Sequence, residues 1–268
     1  MDTLLDRVLA PGGLRVAFQP ILDVSRDGAV RVFAFEGLSR GPYGTNLERA
    51  DVLFDYVRRK REEIRVDRAC IRTALQAAHV LPRLPIFLNV HASTLARDFE
   101  FGVFLTDTAV AAGVGLDRLV VEIVEHAPLW DTRSFLNAVE GLRAVGVKIS
   151  LDDIGRGESN YRMILDCRPD YFKIDGYFTH GCRLDHYRQA VLESVRQLAA
   201  RFGARVIAES VEDAEDLAAV RSLGIELVQG FCFVPALAPV EASRVRFDAL
   251  PPAEPPRLAE PPRLAARA

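Results

Sequence analysis

Short apolar runs that each close on a polar residue recur along this chain, with stretches of helical periodicity between them. The first run, 16–21, reads as a strand, and the turn signal Asp27-Gly28 returns 31–38 beside it as an antiparallel partner. Between about 47 and 80, Val52, Leu53, Tyr56, Val57, Ile64, Ile71 and Leu75 recur at helical spacing and predict two helices. Further short apolar runs follow at 86–90, 119–125, 148–152, 171–175, 205–209 and 227–230. Amphipathic stretches at 93–112, 131–145, 161–165, 190–202 and 212–223 separate them, and Gly203 and Gly224 stop the last two. After the opening hairpin, strands and helices alternate, which predicts a parallel sheet. About eight such units fit an α/β, TIM-like (β/α)8 barrel better than two doubly wound domains.

Barrel sites are assembled from the C-terminal ends of successive strands. Glu36, Asn89, Glu122, Asp152, Lys173, Glu209 and Gln229 each fall near such an end, one per strand. A single buried polar residue in a strand is ordinary, because it is satisfied by a hydrogen bond in the core. Seven on one rim predict a shared cavity.

The run Lys148-Ile149-Ser150-Leu151-Asp152-Asp153-Ile154-Gly155-Arg156-Gly157 carries the strongest local signal. Two adjacent carboxylates repel, so keeping both ionised needs donors or a cation nearby. Taken alone, an Asp-Asp pair before a glycine loop is as well explained by a turn or a cap. The other rim carboxylates shift the balance towards a cation.

Composition narrows the chemistry. A net charge of −3 and pI of about 6.0 give no global basic field for duplex nucleic acid, so any phosphate ligand must be held locally. The five histidines form no metal-spaced pair, which points to oxygen ligands and hence to Mg²⁺ or Mn²⁺ rather than Zn²⁺. The four cysteines lack a C-x-x-C spacing, no basic-then-apolar leader opens the chain, and no apolar run reaches a membrane span. These features lead to the expectation of a cytoplasmic protein with reduced thiols.

Three segments are expected: a lead-in at 1–14, a barrel at 15–240 and a proline-rich tail at 241–268. The tail repeats Glu-Pro-Pro-Arg-Leu-Ala at 254–259 and 260–265, a composition that cannot build a core and predicts an extended or disordered segment.

Carboxylates, a carboxamide and a lysine around one cavity suit one or two hard cations. Two ions about 4 Å apart favour in-line displacement at phosphorus, so phosphodiester hydrolysis is the natural reaction class. Lys173 would orient a water, Glu209 would hold a water on the metal or accept its proton, and Arg40 offers a fork for a substrate phosphate.

The ordered set Phe18-Gln19-Pro20-Ile21, Glu36-x-Leu38-x-Arg40, Asn89, Glu122-Ile123-Val124-Glu125, Asp152-Asp153, Lys173-Ile174-Asp175, Ala208-Glu209-Ser210-Val211-Glu212 and Gln229-Gly230-Phe231 resembles the EAL-domain family over about residues 15–240. The resemblance implies a barrel with an antiparallel first strand that hydrolyses cyclic-di-GMP to linear pGpG. It implies that Glu36, Asn89, Glu122, Asp152 and Asp153 hold two Mg²⁺ or Mn²⁺ ions and that Lys173 and Glu209 manage the water. Glu125 would anchor the loop after Asp153, and Gln19, Leu38, Arg40, Glu212 and Gln229 would serve the substrate. It also implies a homodimer; no cyclase signature or sensor segment is recognisable in the chain, so regulation is expected from dimerisation, the first 14 residues, the tail or a separate regulatory protein.

Two departures stand out. Gly37 replaces the alanine of the family's namesake triplet, and Arg156, Glu158 and Asn160 alter a loop the family uses to link its metal site to its dimer interface. The alternative they raise is a cyclic-di-GMP receptor that binds without turnover and signals through a protein partner. Retention of every ligand position favours the enzyme.

Overall fold

The computed structural model describes residues 3–25, 29–124, 132–155 and 160–247. Eight strands close into one barrel in sequence order: β1 (Arg15–Asp23), β2 (Arg31–Arg40), β3 (Ile86–His91), β4 (Leu119–Val124), β5 (Lys148–Ile154), β6 (Tyr171–Ile174), β7 (Arg205–Ala208) and β8 (Leu227–Val228). β1 runs antiparallel to both β2 and β8, and every other neighbouring pair is parallel. The expected barrel and its reversed first strand are both present.

The two-residue period of the strands sorts their side chains into an outer and an inner set. Outward-facing Phe35, Ile86, Leu88, Val121, Ile149, Leu151, Phe172 and Val228 belong to the core shared with the surrounding helices. Inward-facing Ile21, Ala34, Phe87, Val120, Tyr171, Ile207 and Leu227 form a separate apolar layer that plugs the barrel. Two residues beyond that layer stand Glu36, Asn89, Glu122 and Lys173 on β2, β3, β4 and β6, and Glu209 and Gln229 just past the ends of β7 and β8. On the reversed β1 the same step is taken backwards, from Ile21 to Gln19, and Gln19 is in register with Glu36. The polar rim is thus the next interior layer above an apolar plug, which is why one position per strand converges.

The helices are α1 (Leu4–Leu9), α2 (Ala50–Lys60), α3 (Glu63–Ala77), α4 (Ala92–Arg97), α5 (Phe101–Ala111), α6 (Thr132–Ala144), α7 (Asn160–Cys167), α8 (Gly176–Thr179), α9 (His186–Arg201), α10 (Ala214–Ser222) and α11 (Pro239–Arg244). The amphipathic region at 93–112 is two helices rather than one. Buried Asp98 interrupts it, accepting two hydrogen bonds from Arg68 at 2.7 and 2.6 Å. The short α8 between β6 and α9 carries no periodicity that a sequence reading could use.

Both ends of the described chain are packed onto the barrel. Val8 of α1 is fully buried in a cluster with Leu14, Leu53, Val57 and Val66. At the other end, Phe18 and Leu237 exchange backbone hydrogen bonds of 2.8 and 2.9 Å and so occupy the edge of β1 beyond the reach of the short β8. Ala242 of α11 is fully buried, and the Phe233 and Phe247 rings meet edge-on at 5.7 Å, so packed structure continues past the boundary expected at 240. Asp27-Gly28, Glu125, Asp131, the loop 156–159 and the tail beyond 247 lie outside the described residues.

Candidate active site

The site is centred on Lys173. Its position in the interior layer leaves the side chain 1% exposed, with its ammonium surrounded by carboxylates from four other strand ends. Nζ lies 2.5 Å from Glu122 Oε1, 2.8 Å from Glu209 Oε1, 3.2 Å from Glu36 Oε2 and 3.6 Å from Asp152 Oδ1. Asn89 donates to Glu36 Oε1 at 2.9 Å, and Gln229 donates to Glu36 Oε2 at 2.8 Å. Gln229 also reaches Gln19 Oε1 at 3.2 Å, and Gln19 donates in turn to the Val234 carbonyl. One connected network therefore joins eight of the residues singled out in the sequence.

Four carboxylates sharing one ammonium in a buried pocket cannot all be comfortable as anions. Burial is the largest influence on Glu36, Glu122, Glu209 and Lys173, and the neighbours decide the outcome. At Glu36, burial is overcome by Lys173 and by the amides of Asn89 and Gln229, which hold the carboxyl below its ordinary range. Glu122 lacks those amides, so burial and then the adjacent Glu36 charge push it well up despite Lys173. Burial raises Glu209 to about 8, with Lys173 opposing and Asp152 and Glu36 adding to the rise. Burial works against the Lys173 ammonium, but Asp152, Glu122, Glu209 and Glu36 together hold its pKa well above the ordinary lysine value.

That excess of negative charge is what a cation would relieve. Carboxylate oxygens of Asp152, Asp153 and Glu209 lie within 4.8 Å of one another. Glu122 Oε2 and Asp152 Oδ1 are buried without a hydrogen-bond partner among the described residues. Carboxyl oxygens without a hydrogen bond, beside an all-oxygen donor set, fit a hard divalent ion. Asp153 reaches its place because it adopts the left-handed conformation at φ 51°, turning the chain at the end of β5.

The remaining candidates sit apart from this network. Leu38 is half-buried on β2 in register with Ala17. Arg40 ends the same strand and donates to the Ser39 carbonyl at 3.0 Å, while Glu212 is exposed, with His180 Nδ1 3.8 Å away. Sequence reasoning missed Ser150, which is fully buried, in register with Glu122, and has an Oγ without a partner among the described residues. Its signal was the period of two counted back from Asp152.

A parallel barrel with one reversed strand and an acidic, lysine-centred rim defines the class: a (β/α)8 protein whose polar layer is rich in carboxylate oxygens. The EAL domain family model matches residues 2–236, and the chain belongs to that family. It is 29% identical over 272 residues to the cyclic di-GMP phosphodiesterase NbdA of Pseudomonas aeruginosa, covering 94% of this chain and 33% of that protein. It is 32% identical over 150 residues to the cyclic di-GMP phosphodiesterase TpdA of Vibrio parahaemolyticus, covering 56% of this chain and 26% of that protein. The chain thus spans only a third or less of these relatives' length. Klebsiella pneumoniae BlrP1, in a manganese and cyclic di-GMP complex, superposes with a TM-score of 0.75 at 26% identity, covering 86% of this chain and 57% of that one. Among the described residues, no helix is long and apolar enough to cross a membrane.

Proposed function

We propose that this chain hydrolyses cyclic-di-GMP to linear pGpG. The observation that carries the reading is the buried Lys173 ammonium held among Glu36, Glu122, Asp152 and Glu209, with anionic oxygens left over. Glu36, Asn89, Glu122, Asp152 and Asp153 would hold Mg²⁺ or Mn²⁺, with two ions suited to the spread of carboxylates. When bound, such ions supply positive charge against the phosphoryl oxygens and make water more acidic. Lys173 Nζ orients the attacking water, and Glu209 Oε1, 2.8 Å from it, takes the water proton. The water oxygen bonds to phosphorus as the ribose P–O3′ bond breaks, and the released ribose oxygen gains a proton. Arg40, Gln19, Leu38, Glu212 and Gln229 would line the path of the nucleotide, and Glu125 would anchor the loop after Asp153.

We further assign the active form to a cytoplasmic homodimer under a separate regulatory protein. A reducing compartment is supported by Cys70, Cys167, Cys182 and Cys232, none of which is bridged to another. The deciding experiment is chromatographic detection of pGpG from cyclic-di-GMP with Mg²⁺, with Mn²⁺ and with chelator, beside a binding titration. Metal-dependent pGpG that disappears in Glu36→Ala is the expected result. Tight binding without product would replace the enzyme with a receptor, and full activity in Glu36→Ala would remove Glu36 from the ligand set.

A further inference from the structure

The acidic trio Asp152, Asp153 and Glu209 comes from two strands, β5 and β7, that are not neighbours in the barrel. Between them runs β6, and the turn that follows it, α8, touches the ends of both. Thr179 is fully buried, and its hydroxyl donates to the backbone carbonyl of Glu209. Gly176 lies so close to Ser210 that an added Cβ would stand 2.6 Å from the Ser210 Cβ and Oγ. On the opposite side, the Phe178 ring packs against Gly155, where any Cβ would collide with it.

The backbone at both contacts is unusual. Asp153 and Ser210 have φ of 51° and 52°, and Gly155 has φ of 99°. Non-glycine residues in this region persist only where their surroundings enforce the conformation, and such residues cluster at functional sites. Asp153 directly follows Asp152 and Ser210 directly follows Glu209, and α8 abuts both segments. Asp175 starts that turn, its Oδ1 accepting the Tyr177 amide at 2.7 Å.

We propose that Phe178 and Thr179 are positioning residues that brace the ends of β5 and β7, setting the separation of the Asp152–Asp153 pair from Glu209 and hence the affinity for a divalent cation. This rests on the metal site of the proposed function, where the Glu209 carboxylate adds its negative charge within 4.8 Å of the Asp152–Asp153 pair, though not on the identity of its substrate. The brace acts through backbone placement: Thr179 fixes the Glu209 carbonyl and Phe178 limits where the chain can go after Asp153.

The test is calorimetric titration of the full chain with Mn²⁺ for wild type, Thr179→Val, Thr179→Ser and Phe178→Leu, with pGpG formation followed at varied and saturating Mn²⁺. Thr108→Val serves as control, since Thr108 makes a comparable hydroxyl-to-carbonyl bond of 2.7 Å to Phe104 within α5, away from the rim. Loss of a group that orients ligands typically weakens metal binding by about 10–100-fold, and Thr179→Val is expected in that range. Thr179→Ser restores wild-type affinity, the control leaves it unchanged, and the KM for cyclic-di-GMP at saturating Mn²⁺ stays put. Wild-type Mn²⁺ affinity in Thr179→Val overturns the brace. If that variant does not fold, Phe178→Leu decides in the same way. A wild type that binds Mn²⁺ but forms no pGpG sinks the phosphodiesterase reading while the affinity ratios still judge the brace; a wild type that binds no Mn²⁺ refutes both.

Discussion

Replacing Lys173 by methionine isolates the electrostatic logic of the rim. Methionine keeps most of the buried volume but removes the ammonium, leaving Glu36, Glu122, Asp152 and Glu209 around an apolar group. Removing one partner of a buried ion pair typically costs about 3–5 kcal/mol. Glu122 and Glu209 are already pushed upward and can protonate, so the metal-free variant sits at the lower end of that range near pH 6 and the upper end near pH 8. With about 2–4 °C of Tm per kcal/mol for a domain of this size, the loss in chelator is roughly 6–20 °C. Thermal unfolding of both proteins, with EDTA and with Mn²⁺, reads it directly. Mn²⁺ should recover more of the loss in the variant than it adds to wild type, because it enters a more anionic pocket, whereas pGpG formation stays absent. An unchanged Tm in EDTA at pH 8, or the same Mn²⁺ increment in both proteins, would refute the account of Lys173 as the counter-charge of the rim.

Two further outcomes follow from the same geometry. Because Glu122 and Glu209 have raised folded-state values, the metal-free fold binds more protons than the unfolded chain above about pH 4.5. Its stability therefore falls as pH rises towards and through the Glu209 value of about 8, and the Tm gain on adding Mn²⁺ should grow over that interval; a gain that shrinks with pH would contradict it. At the C-terminus, deletion after Phe247 should leave Tm and turnover nearly intact, whereas Phe247→Ala, which strips a half-buried ring from Phe233, should cost about 1–2 kcal/mol in urea unfolding.

The legible part of the site was the part written in strand periodicity. Glu36, Asn89, Glu122, Lys173, Glu209 and Gln229 could be placed together because each ends an apolar run, and the closed barrel brings them to one layer. Arg40 and Glu212 belong to the same motifs, yet the structure leaves them outside the hydrogen-bonded network. Motif membership reports proximity along the chain: Arg40 is the last residue of β2, four positions past Glu36, and Glu212 lies beyond the end of β7, so neither reaches the interior layer. Ser150 escaped notice for the opposite reason, since its period was right but a serine in an apolar strand looks neutral.

The chain by itself determined the barrel, its order of elements and the identity of the polar layer, because alternating side chains and glycine stops are local properties that survive without knowledge of neighbours. Tertiary structure alone decided which charge answers which. That Lys173 faces four carboxylates, that Glu36 and Glu122 are driven in opposite directions, and that Thr179 holds the carbonyl of Glu209 all depend on contacts between different strands and turns, up to 193 residues apart along the chain. Such contacts arise only when the sheet closes, and burial then makes the charged ones strong enough to move the protonation of Glu36, Glu122 and Glu209.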